Sequence, residues 1–205
     1  MKNNIIGRKS EQDTLARIYE SRQSEFVAVC GRRRVGKTFL VREYFEQEMV
    51  FQTSGLAGGN TQEQLKNFFY TLRRYDRNVT SVPHDWLDAF EMLITYLDSL
   101  NGIERKVVFL DELPWMDTAG SNFISALEHF WNGWASARRD IVLIVCGSAT
   151  SWMMDKLINN HGGLYGRLTH RLFLQPFSLG ESEAFLKTKG MMLSRYELAE
   201  LYMIL

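Results

Sequence analysis

The stretch Gly31-Arg-Arg-Arg-Val-Gly36-Lys37-Thr38 decides the fold that this sequence predicts. Its two glycines let the backbone curl so that successive amide N–H groups point at one anion, which a Cβ at those positions would hinder. Lys37 then reaches the β- and γ-phosphates of a nucleotide, and the Thr38 hydroxyl is a magnesium ligand. We interpret the stretch as a phosphate-binding loop; an ordinary glycine- and arginine-rich surface turn is the alternative.

The segments on either side favour the phosphate-binding interpretation. Before the loop, Phe26-Val-Ala-Val-Cys30 is a continuous apolar run typical of a buried strand. After the loop, apolar side chains recur at helical spacing: Phe39, Leu40, Tyr44 and Phe45. A strand, a glycine loop and a helix in this order form the setting in which the motif binds phosphate. The helix also directs its positive end toward the same anion.

Length and composition exclude several classes of protein. The 205 residues suffice for one α/β domain and part of a second, and the 24 basic side chains balance the 24 acidic ones. No overall basic field therefore points to nucleic acid. The chain has no apolar run long enough to cross a bilayer and no signal-peptide pattern. Cys30 and Cys146 each end a predicted buried strand, where reduced thiols pack as small apolar groups. We therefore expect a cytoplasmic protein.

A second apolar strand ends in two carboxylates, in Lys106-Val-Val-Phe-Leu-Asp111-Glu112. Open α/β sheets place ligands at the carboxyl ends of their strands. Asp111 is suited to hold Mg²⁺ through its water shell, and Glu112 is suited to orient and deprotonate the attacking water. The alternative is an acid pair that only terminates a strand at the surface. The phosphate-binding loop earlier in the chain favours the first interpretation.

Two further segments supply candidates for contact with a γ-phosphate. Ser148 follows the apolar strand Ile141–Cys146, and a polar side chain at that tip could touch the γ-phosphate or the attacking water. The alternative is an ordinary turn residue before a helix. Arg167 lies in a glycine-rich segment and could stabilise charge that develops on the γ-phosphate, in cis or across a subunit boundary. The alternative for Arg167 is a solvated side chain.

Several polar residues are placed to begin helices. These are Ser10 as an N-cap and three capping boxes, Thr61–Gln64, Ser178–Glu181 and Ser194–Glu197. The last helical pattern reaches Leu205 without a stop signal, so we expect a fragment of a longer protein. We expect residues 1–176 to form the core and residues 177–205 to begin a helical lid.

Five motifs follow one another along the chain. They are Ile6-Gly7-Arg8-Lys9-Ser10-Glu11, Gly31–Thr38, Phe109-Leu-Asp-Glu-Leu-Pro-Trp115, Cys146-Gly-Ser148 and Tyr165-Gly-Arg167. Together they resemble the archaeal-type prokaryotic ATPases, a branch close to the AAA+ and STAND nucleotide hydrolases. The resemblance implies a three-layer α/β fold with a five-stranded parallel sheet in the order 5-1-4-3-2. It also implies ATP and Mg²⁺ as ligands, with the adenine base near Ile6, Gly7 and Arg8.

The motifs and the resemblance together predict a complete site. The nucleotide-binding residues are Ile6, Gly7, Arg8, Gly31, Arg32, Arg33, Arg34, Val35, Gly36, Lys37, Thr38 and Phe39. The predicted catalytic residues are Lys37, Glu112, Ser148 and Arg167, and the predicted metal ligands are Thr38 and Asp111.

Mg²⁺-dependent ATP hydrolysis is the leading hypothesis for the function. One alternative is a slow nucleotide-controlled switch in signalling or assembly, because related STAND proteins hold nucleotide for long periods. Another is the ATPase module of a DNA-acting protein, suggested by Arg32-Arg33-Arg34 and by the winged helix that usually follows such domains. The expected partners are an adenine nucleotide, a second copy of the chain, and DNA or protein bound through further domains. No membrane partner is expected.

Overall fold

A parallel β-sheet forms the centre of the protein. The structure, a computed structural model, describes residues 5–148, 150–159 and 162–204. Within these residues five strands form the sheet: β1 Glu25–Gly31, β2 Met49–Ser54, β3 Lys106–Asp111, β4 Ile141–Gly147 and β5 His170–Leu174. Every neighbouring pair is parallel, and the spatial order is β2-β3-β4-β1-β5. The predicted order, written from the opposite edge, is confirmed.

Helices connect the strands and cover the sheet. They are α1 Lys9–Glu20, α2 Lys37–Tyr44, α3 Thr61–Tyr75, α4 Trp86–Ser99, α5 Leu113–Met116, α6 Phe123–Gly133, α7 Thr150–Met153, α8 Leu179–Thr188 and α9 Arg195–Ile204. A 3₁₀ turn, Ala135–Ala137, follows α6, and a π turn, Met154–Ile158, continues α7. In the part of the chain that the structure describes, none of the helices is both long and apolar enough to cross a membrane.

Two hydrophobic cores lie on opposite faces of the sheet, because alternate strand residues point to opposite sides. Phe26, Ala28 and Cys30 of β1 pack with α3, α4 and α6 on one face. Val27 and Val29 pack with α1 and α2 on the other face. β3 and β4 are buried along their whole length, as expected of strands covered on both sides. The predicted three-layer α/β architecture is confirmed.

The start of α1 differs from the prediction. The helix begins at Lys9 after Arg8, which has a left-handed backbone (φ 55°), so Ser10 lies inside the helix and is not its N-cap. The Arg8 side chain is only 6% exposed and donates a hydrogen bond to the carbonyl of Val35. A tertiary contact at Arg8, and not a capping hydroxyl, therefore accompanies the start of this helix.

The start of α3 also differs from the prediction, by one residue. Asn60 caps the helix in a reciprocal box with Glu63, so the predicted box at Thr61–Gln64 is wrong. Asparagine is at least as good an N-cap as threonine, which explains the shift. The Gln64 side chain instead bonds the backbone of the loop before the helix. The capping box at Ser178–Glu181 is confirmed.

Candidate nucleotide-binding site

The phosphate-binding loop joins the carboxyl end of β1 to the amino end of α2. Three of its residues have positive φ: Gly31 at 149°, Arg34 at 67° and Gly36 at 88°. A Cβ on Gly31 would lie 2.5 Å from the carbonyl oxygen of Leu174 in β5, so this position lacks space for any side chain. The left-handed Arg34 is uncommon for a residue with a Cβ, and such backbone conformations cluster at ligand sites.

Lys37 is held inside the curl of the loop. Its side chain is buried, and Nζ donates hydrogen bonds to the carbonyls of Gly31 (3.0 Å) and Arg32 (2.8 Å). A buried ammonium needs such partners because it has lost its hydration. Lys37 is also the first residue of α2, where the helix dipole favours negative charge. The loop therefore presents a cation and the positive end of a helix to the same space.

The side chains of Thr38 in α2 and Asp111 at the end of β3 contact each other at the carboxyl ends of the strands. The Thr38 hydroxyl donates a 2.9 Å hydrogen bond to Oδ2 of Asp111, and Oδ1 accepts one of 3.0 Å from the Glu112 N–H. Hydroxyl and carboxylate oxygens are the hard ligands that Mg²⁺ prefers, and adjacent oxygens of its octahedral shell lie about 2.9 Å apart. This pair therefore fits a magnesium ion. The structure brings together the two residues predicted as metal ligands.

Glu112 is positioned by contact between two strand tips. It follows β3 in a left-handed conformation (φ 47°), and its Oε2 accepts a 3.1 Å hydrogen bond from Ser148 Oγ. Ser148 follows β4, which neighbours β3 in the sheet. A Cβ on Gly147 would lie 2.8 Å from Cδ of Pro114, so a glycine at this position permits the two tips to approach. The structure thus places Ser148 beside the predicted base.

A cavity of about 660 Å³ opens beside Glu112, and we call it the acid-side cavity. It is lined by Arg33, Lys37, Thr38, Glu112 and Trp115, among others. Neither Trp115 nor Gly55 is among the predicted site residues. A Cβ on Gly55 would lie 2.6 Å from the Glu112 carbonyl oxygen and 2.8 Å from Trp115 Cβ. A glycine directly after strand β2 is the sequence signal for this close approach.

A second cavity of about 600 Å³ lies against the loop as well, and we call it the base-side cavity. Its apolar lining comes from Ile5, Ile6, Val35, Phe39, Leu40, Pro176, Phe177 and Phe185. Arg8, Arg34 and Lys189 add charge at its wall. An apolar lining with a few polar groups is typical of a pocket for a flat organic ligand. Arg34, Gly36 and Phe39 line both cavities, so the loop lies between them.

Arg8 connects the base-side cavity to the loop and to α8. Its guanidinium donates a 3.0 Å hydrogen bond to the Val35 carbonyl and lies 4.7 Å from the centre of the Phe177 ring. Its backbone N–H donates a 2.7 Å hydrogen bond to Oε1 of Glu181. A Cβ on Gly7, which has φ 66°, would lie 2.6 Å from that same oxygen. The contacts from α8 were not foreseen, because they join segments at opposite ends of the chain.

Burial and hydrogen bonding shift the pKa values of three groups near the site. Burial raises the pKa of Cys30 to about 11. Burial is the main cause of a raised pKa for Cys146, and the charge of the Asp111 carboxylate is the second cause. Both thiols therefore stay protonated at neutral pH. Burial acts to raise the pKa of Glu181, but hydrogen bonds to the backbone of Arg8 and of the capping serine outweigh it and lower that pKa. Glu181 is therefore an ionised acceptor at neutral pH.

The structure does not bring Arg167 to the phosphate-binding loop. Arg167 is exposed and lies three residues before β5, which begins with His170 paired to Val27 of β1. The loop follows the carboxyl end of β1. The length of β5, about 13 Å at 3.3 Å per residue, therefore lies between Arg167 and the loop. Within the described residues, Arg167 forms a backbone hydrogen bond to Leu164 and none to the loop.

The three loop arginines are exposed and line different cavities. Arg33 lines the acid-side cavity, and Arg34 lines both cavities already described. Arg32 lines a third cavity, of about 480 Å³, which is also bordered by α8 and α9. Three consecutive arginines of one loop therefore have three different surroundings. The sequence does not predict this difference, because the three residues are of the same type.

Comparisons with known proteins agree with this geometry. A family model described as an ATPase domain predominantly from Archaea matches residues 6–202. An uncharacterized protein of Methanocaldococcus jannaschii is 25% identical over 181 residues, which cover 88% of this chain and 38% of that protein. An uncharacterized ATP-binding protein of the same organism is 32% identical over 50 residues, which cover 24% of this chain and 85% of that protein.

Solved structures with a similar fold include two archaeal proteins. The Walker-type ATPase of Pyrococcus abyssi matches with a TM-score of 0.71 and 18% identity, over 97% of this chain and 63% of that one. The ORC2 protein of Aeropyrum pernix, in its ADPNP–ADP complexes, matches with a TM-score of 0.60 and 20% identity, over 92% of this chain and 54% of that one. At such identities the likeness shows the fold alone. The chain spans less than two thirds of the first curated relative and of both structures.

Proposed function

We propose that this chain, which belongs to the family of ATPase domains predominantly from Archaea, binds ATP together with Mg²⁺ and hydrolyses it. The observation that carries the proposal is the meeting of Thr38 with Asp111, and of Glu112 with Ser148, at one edge of the sheet beside Lys37. Binding of a nucleotide without hydrolysis requires only the phosphate-binding loop. A carboxylate held next to the metal ligands is what hydrolysis adds to that requirement.

Binding uses the loop and the first turn of α2. The loop amides and the amino end of α2 bind the phosphates, and Lys37 exchanges its bonds to two loop carbonyls for phosphate oxygens. Thr38 and Asp111 would hold Mg²⁺, which would supply positive charge to the phosphate oxygens. The cation and the two oxygen ligands are already adjacent, so little rearrangement opposes binding.

Hydrolysis requires a water molecule aligned with the γ-phosphorus. As the water oxygen forms a bond to the γ-phosphorus, Glu112 accepts a proton from that water. The bond from the γ-phosphorus to the β–γ bridging oxygen breaks, and its electron pair leaves with ADP. Inorganic phosphate is the second product, and Glu112 returns its proton to solvent. Ser148 holds the Glu112 carboxylate in place through its hydroxyl hydrogen bond.

The base-side cavity is the proposed site of the adenine ring. Its apolar lining includes Ile6 and Phe39, and Arg8 supplies a cation stacked on Phe177. In this proposal residues 177–205 act as a lid, because Glu181 of α8 bonds directly to Arg8. This link favours a second candidate function, a slow switch in which the bound nucleotide controls the position of α8 and α9.

Nucleotide titration and phosphate release from three variants test the proposal. Wild-type protein should bind ATP and ADP and release phosphate only with Mg²⁺. Glu112→Gln should bind ATP within about threefold of wild type while phosphate release falls at least about 100-fold, the usual contribution of a general base. Lys37→Ala should lose tight ATP binding. Glu46→Gln is the matched control, because Glu46 is exposed and lines none of the three cavities.

Each outcome has a definite meaning. Normal hydrolysis by Glu112→Gln would remove Glu112 as the base. Failure of the wild-type chain to bind either nucleotide would reject the proposed function. Retained ADP with turnover far below about 1 s⁻¹, the low end for typical enzymes, would favour the switch.

A further inference from the structure

A cation at the γ-phosphate, in addition to Lys37 and the metal, would accelerate the proposed reaction. Charge spreads over the terminal oxygens during phosphoryl transfer, and an arginine placed there typically raises the rate about 10³- to 10⁵-fold. The sequence suggested Arg167 for this task. Arg167 lies beyond the amino end of β5, whereas the loop lies beyond the carboxyl end of β1. Another arginine of the same chain lies much nearer.

Arg33 lines the acid-side cavity together with Lys37, Thr38, Glu112 and Trp115. Its side chain is exposed, and we find no hydrogen bond, ion pair or ring contact for its guanidinium within residues 5–148, 150–159 and 162–204. Five N–H donors therefore remain available to an anion in that cavity. Arg33 and Glu112 line the same cavity of about 660 Å³, and no ion pair joins them within the described residues.

The other cations around the loop have different surroundings. Lys37 is bonded to loop carbonyls, and Arg8 is bonded to the Val35 carbonyl on the base side. Arg32 lines the third cavity, beside α8 and α9. Arg34 lines both the base-side and the acid-side cavities, so it stands at the boundary between them. Arg33 is the loop arginine that faces the acid-side cavity without also facing another of these cavities.

We infer that Arg33 is a catalytic residue that binds the γ-phosphate in cis, in the same chain as Glu112, and stabilises the charge developing there during hydrolysis. The inference rests on the proposed function and extends it. The guanidinium donates hydrogen bonds to γ-phosphate oxygens and keeps its protons throughout. The water proton goes to Glu112, and the electron pair of the broken bond goes to the β-phosphate oxygen of ADP.

The test compares Arg33→Ala and Arg33→Lys with Arg22→Ala as the matched control. At saturating ATP and Mg²⁺, we expect phosphate release to fall about 1,000-fold for Arg33→Ala. Arg33→Lys should recover part of this loss, because lysine keeps the charge but lacks the planar fork. Arg22→Ala should stay within about threefold of wild type, because Arg22 is exposed and lines none of the three cavities. Unfolding curves establish whether each variant folds. If Arg33→Ala does not fold, Arg33→Lys is the variant that tests the inference.

An equilibrium measurement gives a second readout. ADP with aluminium fluoride mimics the transferring phosphoryl group, and such analogues bind more tightly when the site stabilises the transition state. Wild type and Arg22→Ala should retain this complex through gel filtration, whereas Arg33→Ala should not. ADP alone should bind all three proteins with affinities within about threefold, because ADP lacks the γ-phosphate.

A mixing experiment tests whether Arg33 acts within its own chain. An equal mixture of Arg33→Ala and Glu112→Gln should remain inactive, and restored hydrolysis would show that Arg33 acts across a subunit boundary. Wild-type turnover by Arg33→Ala would overturn the inference and leave the proposed function intact. A 100-fold loss in Arg167→Ala with normal Arg33→Ala would overturn it too. If the wild-type chain neither binds nor hydrolyses ATP, both proposals fall.

Discussion

Ser148 donates a 3.1 Å hydrogen bond from Oγ to Oε2 of Glu112, although 36 residues separate them in the sequence. The bond joins the tips of two neighbouring strands, β4 and β3. It fixes one oxygen of a carboxylate whose backbone is already held in a left-handed conformation. The orientation of the proposed base therefore depends on a residue contributed by the next strand.

Ser148→Ala should lower phosphate release about tenfold while ATP affinity stays within about threefold, because a hydrogen bond to a charged group contributes about 1.5–3 kcal/mol. Steady-state phosphate release and ATP titration measure the two quantities. Ser136→Ala is the matched control, since the Ser136 hydroxyl bonds only a nearby backbone carbonyl at an exposed position. Unchanged turnover in Ser148→Ala would show that Ser148 does not position Glu112.

Thr38→Ala should raise the Mg²⁺ concentration needed for half-maximal hydrolysis by about tenfold or more, because it removes the hydroxyl oxygen that would bind the ion. Thr38→Ser keeps the hydroxyl that bonds Asp111 and should stay within about threefold of wild type. A Mg²⁺ titration of phosphate release at fixed ATP compares the three proteins. The same Mg²⁺ requirement in all three would contradict the assignment of Thr38 as a metal ligand.

Gly7→Ala should weaken ATP binding about tenfold, because the new Cβ would meet Glu181 and displace the contact between Arg8 and α8. Gly58→Ala is the matched control, since Gly58 has φ +71°, close to the +66° of Gly7, with no heavy atom near its Cβ position. Both variants should lose about 1–2 kcal/mol in free energy of unfolding from the left-handed backbone.

Urea unfolding and ATP titration separate the two effects. Gly58→Ala reports the backbone strain alone, and the difference between the variants reports the collision with Glu181. Equal ATP affinities in both variants would show that the contact between Gly7 and α8 has no bearing on nucleotide binding.

Protonation of Glu181 should weaken the attachment of α8 at low pH. Its pKa is lowered in the folded chain, from about 4.3 in an unfolded chain. A group with a lowered folded pKa contributes stability above its unfolded pKa and loses that contribution as the pH falls through the folded value. The difference in free energy of unfolding between wild type and Glu181→Gln should therefore shrink as the pH falls from about 5 to about 3.

Urea unfolding of wild type and Glu181→Gln at several pH values measures that difference. Glu46→Gln provides the comparison, because Glu46 is an exposed glutamate without a hydrogen-bond partner in the described part of the chain. It reports the effect of removing a surface carboxylate alone. A difference between wild type and Glu181→Gln that is constant with pH would contradict the prediction.

Much of the fold could be predicted from local patterns. The continuous apolar runs that became β1, β3 and β4 indicated strands buried on both sides, and the loop between Gly31 and Thr38 required a strand before it and a helix after it. Polar residues at strand tips were recognisable because ligands bind at the carboxyl ends of parallel strands. The strand order came from the resemblance to a family and was confirmed by the structure.

The amino-acid sequence by itself determined the elements of the fold and the types of residue at the site, because both depend on patterns within a few residues of one another. Only the tertiary structure decided which of those residues meet. It joined Arg8 to Glu181 across 173 positions, placed Arg33 and Arg32 beside different cavities, and placed Arg167 away from the loop. These relationships depend on strand register and loop conformation. Both are determined by the packing of segments that are distant in the sequence, and local sequence patterns do not encode that packing.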